Sequence, residues 1–239
     1  MFNILFSDII TFLQASFLKS HSLKTNAGII SCCLALSIQA YANQPVNIDK
    51  KQKIAQVPFY DQKQNKKQGW RACNITSFAM VIDYFAITPK NKQETRTPDY
   101  LFKQFGIKQD PIELQAMFNK VAQDAGSPIR DVFYENGTIE QLRKLARNGH
   151  PTIIHGWFTK SGHIMVITGF DGENYIVNDP YGKWLGKKWA ESSIGYNTNI
   201  SGKALRYEAK AFELAINDNG NGDDLWLHTF IDTSTDTEK

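Results

Sequence analysis

Trp70-Arg71-Ala72-Cys73-Asn74-Ile75-Thr76-Ser77-Phe78-Ala79-Met80 opens a helix whose first turn carries a thiol. From Ala72 to Phe85, the residues Ile75, Phe78, Ala79, Ile82 and Phe85 recur at helical spacing, while Met80, Val81 and Tyr84 make the second face apolar too. Such a helix is predicted to be largely buried. Cys73 stands at its start, where free amide hydrogens and the helix dipole favour the thiolate, the form of cysteine that attacks a carbonyl.

The chain has three cysteines, and two of them, Cys32 and Cys33, fall in a segment read as an export signal. That segment carries Lys19, His21 and Lys24, an apolar run from Ala27 to Ile38, and then Ala40-Tyr41-Ala42, a small-residue cleavage pattern. Cleavage after Ala42 is expected to start the mature chain at Asn43, leaving Cys73 as an unpaired thiol in an exported protein. The run is too short and too interrupted for a membrane span. Ile29-Ile30-Ser31-Cys32 imitates a lipid-attachment box, but its apolar part, Ala27 to Ile30, falls short of the ~7 residues of a signal core. A formal charge of +3 is too weak to single out nucleic acid as the partner. Lysines 50, 51, 53, 63, 66 and 67 lack interleaved aromatics and read as a solvated linker. The sequon Asn74-Ile75-Thr76 would set a glycan beside Cys73 in a eukaryotic secretory route, which favours a bacterial exported protein, periplasmic or secreted.

Residues 43–56 read as a polar linker, 57–232 as one domain and 233–239 as a polar tail. Three more helices carry start signals: Thr97-Pro98 before 99–105, Asp110-Pro111-Ile112-Glu113 before 114–125, and Thr138-Ile139-Glu140-Gln141 before 142–147. Gly106, Gly126 and Gly149 supply stops. After Gly149 the pattern turns to strands over 151–158, 163–170, 175–178 and 225–231, with a hairpin turn at Asp171-Gly172-Glu173. The stretch 203–216 is compatible with a strand followed by a helical turn. Helices first and a mostly antiparallel sheet second make an α+β fold.

Cys73 needs a base within hydrogen-bond reach, and imidazole is the side chain matched to neutral pH. His163 begins a strand behind Ser161-Gly162. Asp179 ends the next strand of the same hairpin, and an odd hairpin loop such as 171–173 is expected to put both on one face, where Asp179 can fix the ring tautomer. Gln62, in Tyr60-Asp61-Gln62, and the Cys73 amide are candidate donors to a developing oxyanion. His155 reads as a core residue or pocket wall, His150 as part of a turn and His228 as a member of the last strand. None has a metal-ligand spacing with Cys73. Asn217-Asp218-Asn219-Gly220-Asn221-Gly222 imitates a calcium loop, but His228 stands at the position that needs a bidentate glutamate, so the stretch reads as a turn. Trp157, Trp184, Trp189 and Tyr181 are either groove or core.

Val57-Pro58-Phe59-Tyr60-Asp61-Gln62, Ala72-Cys73-Asn74-Ile75-Thr76-Ser77, Gly162-His163 through Gly169-Phe170-Asp171, and Asn178-Asp179-Pro180-Tyr181-Gly182 together resemble the papain-like cysteine peptidases of the bacteriocin-processing, double-glycine leader type. The resemblance spans about residues 57–232. It implies a papain-like α+β fold, with the nucleophile helix buried against a mostly antiparallel sheet. It also implies Cys73 as nucleophile, His163 as base, Asp179 as orienting acid and Gln62 as oxyanion residue, in a free-standing secreted relative. No cofactor is implied. The expected substrate is a peptide, a protein or the stem peptide of peptidoglycan, cleaved through an acyl-enzyme; transfer to an amine, a toxin role and an inactive binding module of the same fold are the alternatives.

Overall fold

The computed structural model of the chain describes residues 53–234. The segment read as an export signal, most of the stretch read as a linker and most of that read as a polar tail lie outside them.

The helix that starts with the thiol is α1, Cys73–Tyr84, buried from Asn74 to Ile82 as its all-round apolar pattern requires. Asp83, near its end, collects hydroxyl donors from two other segments. Tyr60 Oη donates to Oδ2, and Thr97 Oγ1 lies 2.8 and 2.9 Å from the two carboxylate oxygens. This cluster joins α1 to the N-terminal segment and to α2, Thr97–Phe105. Thr97 therefore does not cap α2 as expected; the cap position is Arg96, without a side-chain bond, and the threonine hydroxyl serves Asp83 instead. Capping does occur at α3, Pro111–Asp124, where Asp110 accepts from the amides of Ile112 and Glu113 at 2.9 and 3.0 Å. It occurs again at α4, Ile139–Arg147, where Thr138 accepts from the Gln141 amide at 3.0 Å. Gly106, Gly126 and Gly149, the expected stops, all have positive φ.

One strand was not expected. β1, Ile129–Gly137, lies between α3 and α4, so helices and strands do not separate into two blocks along the chain. Its apolar run is only Val132 to Tyr134, and a buried acid, Asp131, breaks the alternation. The side chain of Asn119 on α3 binds both the amide and the carbonyl of Asp131, at 2.8 and 3.1 Å, which covers this edge of the sheet. The other strands are β2, Thr152–Gly156, β3, His163–Phe170, β4, Asn174–Asn178, β5, Lys183–Trp184, β6, Tyr196–Asn197, β7, Leu205–Glu208, and β8, Leu225–Asp232. A four-residue helix, α5, Ser192–Gly195, separates β5 from β6. α6, Ala209–Ile216, follows β7 directly, in the order expected for 203–216.

The main sheet is antiparallel throughout, in the order β1-β8-β2-β3-β4-β7; β5 and β6 form a separate ribbon. Strand alternation sorts side chains into two cores. Ile153, Ile164 and Val166 pack with α1 and α3, whereas Ile154, Met165, Ile167, Tyr175 and Val177 pack with α4 and α6. Helices thus cover both faces of one sheet. The first core extends to Ala55, whose amide donates to the Thr168 carbonyl at 2.8 Å, so ordered packing starts inside the stretch read as linker.

The β3–β4 hairpin departs from the simple odd loop. Near the turn Phe170 pairs with Tyr175, and the Asp171 amide bonds to the Asn174 carbonyl, which closes an even, two-residue turn. Continued unbroken, that register would turn Asp179 away from His163. A bulge between Ile167 and Gly169 adds Thr168 as an extra residue and changes the parity, so that Ile167 pairs with Val177 and Val166 with Asn178. Asp179 then follows on the face of Met165 and His163.

Asp83→Ala strips the acceptor from two hydroxyls at once. It is expected to destabilise the domain by about 2 kcal/mol, lowering Tm by about 4–8 °C for a chain of this size, as read by calorimetry.

Candidate active site

Cys73 is held at the sheet end by its neighbours. One turn along α1, the Ser77 hydroxyl donates to the Ile164 carbonyl at 3.2 Å, which fixes the start of the helix against the start of β3. The thiol meets the His163 ring and the backbone amides of Asn74 and Ile164. Burial pushes its pKa up, but the hydrogen bond and positive charge of His163, with the two amides, outweigh burial and hold the thiol below its ordinary value.

His163 opens β3 and is 6% exposed. Its Nε2 lies 2.8 Å from Asp179 Oδ1, so Nδ1 is the nitrogen left for the thiol. Burial works against the charged ring, yet Asp179 and Cys73 together raise its pKa above the ordinary histidine range. The two shifts run in opposite directions, and both favour a thiolate–imidazolium pair.

Asp179 has no exposed surface. Oδ1 accepts from the Tyr181 amide at 3.0 Å as well as from His163, and Oδ2 accepts from the Tyr207 hydroxyl at 2.9 Å. The Asp179 amide donates to the Gly202 carbonyl at 2.8 Å. A Cβ on Gly202 would stand 1.7 Å from the Asp179 carbonyl oxygen, so only glycine fits there. Tyr196 and Tyr181 flank the imidazole at ring-centroid distances of 5.4 and 6.2 Å.

Cys73, His163 and Asp179 are thereby brought together. Gln62 stands differently. It is buried in a short 3-10 turn, Gln62–Gln64, and its Nε2 donates to the Gly69 carbonyl at 2.7 Å, on the turn Gly69–Arg71 that leads into Cys73. Its amide binds the Pro180 carbonyl at 2.9 Å, which ties it to the residue after Asp179. It makes no hydrogen bond to the other three among the described residues.

A cavity of about 280 Å³ opens beside the thiol, lined by Cys73, His155, Trp157, His163, Asp224 and Trp226 among others. Trp157 belongs to this wall, Trp184 is core, and Trp189 is exposed. In the 217–222 stretch, Asn217 Oδ1 accepts from the amides of Gly220 and Gly222, a turn held by its own side chain. No group of three or more potential metal ligands occurs among the described residues, and no helix there is long and apolar enough to cross a membrane. Tyr207 and Trp226 were not singled out from the sequence. Leu205-Arg206-Tyr207-Glu208 has strand alternation, but nothing in it reports that β7 pairs with β4 and so faces Asp179.

The family model described as Peptidase_C39 like family matches residues 54–211. Among solved structures, the chain is similar to a double glycine motif protease from an AMS/PCAT transporter in complex with its leader peptide, at 20% identity over 75% of this chain and 94% of that one, TM-score 0.45. It is similar to a C39-like peptidase from Bacillus anthracis at 18% identity, over 77% and 98% of the two chains, TM-score 0.49. A third similarity is to the peptidase domain of Streptococcus ComA, a bi-functional ABC transporter involved in a quorum sensing pathway, at 14% identity over 67% and 92%, TM-score 0.40. No curated protein sequence matches significantly.

Because the Cys73 pKa is lowered, the rate of its alkylation by iodoacetamide is expected to inflect at a lower pH than that of a free cysteine. His163→Ala should return the inflection towards that of a free cysteine, about 8.5. Tyr207→Phe removes one donor to Asp179 and the acceptor of the buried Trp184 amide, at 2.8 Å. It should lower Tm and cost about tenfold in kcat/KM, measured on any peptide the protein cleaves.

Proposed function

This chain belongs to the Peptidase_C39 like family and is a cysteine peptidase, and we propose that it cleaves peptide bonds with Cys73 as nucleophile, His163 as acid and base, and Asp179 as the group that holds the ring. The observation that carries the reading is the placement of one imidazole between a fully buried carboxylate and a thiol of lowered pKa. In the first step the Cys73 thiolate attacks the scissile carbonyl, and the His163 Nδ1 proton passes to the leaving amine. An acyl-enzyme thioester remains. In the second step His163 takes a proton from water, the hydroxide attacks the thioester, and the carboxylic acid leaves as the thiolate re-forms.

Asp179 keeps one tautomer and stabilises the imidazolium without itself taking the proton. Charge developing on the carbonyl oxygen is met by the Cys73 amide at the start of α1 and by the Gln62 side chain, whose Nε2 has a second hydrogen besides the one given to Gly69. The substrate is a peptide. Residues 1–42 read as an export signal, so the reading extends to a periplasmic or secreted enzyme acting on an exported peptide, a protein or a peptidoglycan stem peptide.

Incubation of the purified protein with a defined peptide library and with peptidoglycan, read by mass spectrometry, is expected to give hydrolysis products that Cys73→Ala abolishes. Gln62→Ala should lower kcat by about 10²–10³-fold while leaving the Cys73 alkylation rate in place. Cleavage that survives Cys73→Ala would overturn the assignment.

A further inference from the structure

Three polar side chains outside the proposed triad, two buried and one partly buried, form a continuous row on the α1 face of the sheet. Asp131 on β1, His228 on β8 and His155 on β2 step diagonally across adjacent strands, since Phe133 pairs with His228 and His228 with Ile153. Asp131 Oδ2 lies 2.8 Å from His228 Nδ1, and His228 Nε2 lies 3.1 Å from His155 Nε2. Asp131 and His228 are 2% and 0% exposed, while His155 reaches the cavity that also contains Cys73 and His163. Hydrophobic packing does not explain the row. It sits in an aromatic box formed by Phe78, 4.9 Å from the His228 ring, Phe133, also 4.9 Å, and Trp226 beside His155 at 6.2 Å.

Counting hydrogens along the row fixes its sense. Asp131 Oδ1 is buried without a partner, an arrangement costly for a carboxylate and far less so for a carboxylic acid. Burial pushes the Asp131 carboxyl up to about 8 and the His228 ring down to about 3, and His155 well below its ordinary value, with His228 adding to burial there. With Oδ1 unpartnered and both shifts running towards the uncharged forms, the Asp131–His228 contact is a bond between neutral groups. The acid donates from Oδ2 to His228 Nδ1, so the His228 hydrogen sits on Nε2 and is donated to His155 Nε2. The hydrogen of His155 must then sit on Nδ1, the nitrogen not engaged with His228.

We propose that His155 is a substrate-binding residue of the peptidase, donating a hydrogen bond from Nδ1 to a carbonyl oxygen of the bound peptide outside the scissile bond, with His228 and Asp131 as positioning residues that fix its tautomer. This inference rests on the peptidase reading above. It explains why a histidine lines the cavity one strand pair from His163, with Gly156 pairing His163 and His155 pairing Ile164, yet has no part in proton transfer at the thiol. A peptide carbonyl is the acceptor that a fixed neutral N–H selects; a cationic group at this point would find a donor facing it.

Two measurements test it. Histidine-ring ¹H–¹⁵N correlation spectra of the protein at pH 7 are expected to show Nδ1–H on His155 and Nε2–H on His228, with Asp131→Asn keeping that pattern through its own amide donor. The opposite tautomers would overturn the donor assignment. In kinetics on the decapeptide that the wild-type protein cleaves fastest from an N-acetylated library, His155→Phe should raise KM about tenfold with kcat nearly unchanged. His155→Gln, which restores a donor, should recover most of the loss. An unchanged KM in His155→Phe, or an effect on kcat alone, would sink the proposal while leaving the triad standing. If instead the wild-type protein cleaves no peptide and Cys73 alkylates at the rate of a free thiol, the peptidase reading fails and this proposal falls with it.

Discussion

A carboxylate with no exposed surface needs its charge satisfied from within, and Asp179 shows what that demand organises. Its oxygens draw donors from His163 on β3, the Tyr181 amide beyond β4 and the Tyr207 hydroxyl on β7. Its own amide holds the loop at Gly202. Three separate stretches are thereby drawn to one point at the end of the sheet. The thiol arrives from the opposite direction, carried by a helix that is buried from its second residue through Ile82 and so has no freedom to retreat.

The same burial produces the chemistry. In water the proton would stay on the thiol, whose ordinary pKa of about 8.5 exceeds the imidazole's of about 6.5, but here a fixed negative charge behind the ring raises its affinity for the proton. The ring in turn stabilises the thiolate. That electrostatic chain runs through the packed interior, so it is insulated from the solvent screening that weakens surface pairs. The row of Asp131, His228 and His155 uses burial in the contrary sense. Without a paired charge, an apolar box keeps all three groups neutral and turns them into a line of directed hydrogen bonds.

Much of this was legible from residue order. The all-round apolar pattern from Ala72 to Phe85 located the buried helix, Asp110 and Thr138 marked real caps, and alternation after Gly149 located the core strands. Strand parity in the hairpin predicts that His163 and Asp179 share a face, and they do, although not through a single odd loop. An even turn and one bulge together do what a single odd loop would have done. β1 stayed hidden because Asp131 faces inward, and an acid in a strand cancels the periodic signal. Thr97 misled because a capping-type hydroxyl can be recruited by a distant carboxylate, here Asp83. Tyr207 and Trp226 owe their positions to strand pairing between distant segments, which local pattern does not encode.

The bulge at Thr168 also bears on how this chain can change in length. Its extra carbonyl is taken up by the Ala55 amide, so the added residue is anchored to the rest of the domain. Removal of the bulged residue would leave Ile167 opposite Val177 and keep His163 and Asp179 on one face, whereas a single insertion or deletion within the regularly paired stretches inverts one relative to the other. Within that hairpin, the bulge is the place where a change of one residue in length can be absorbed.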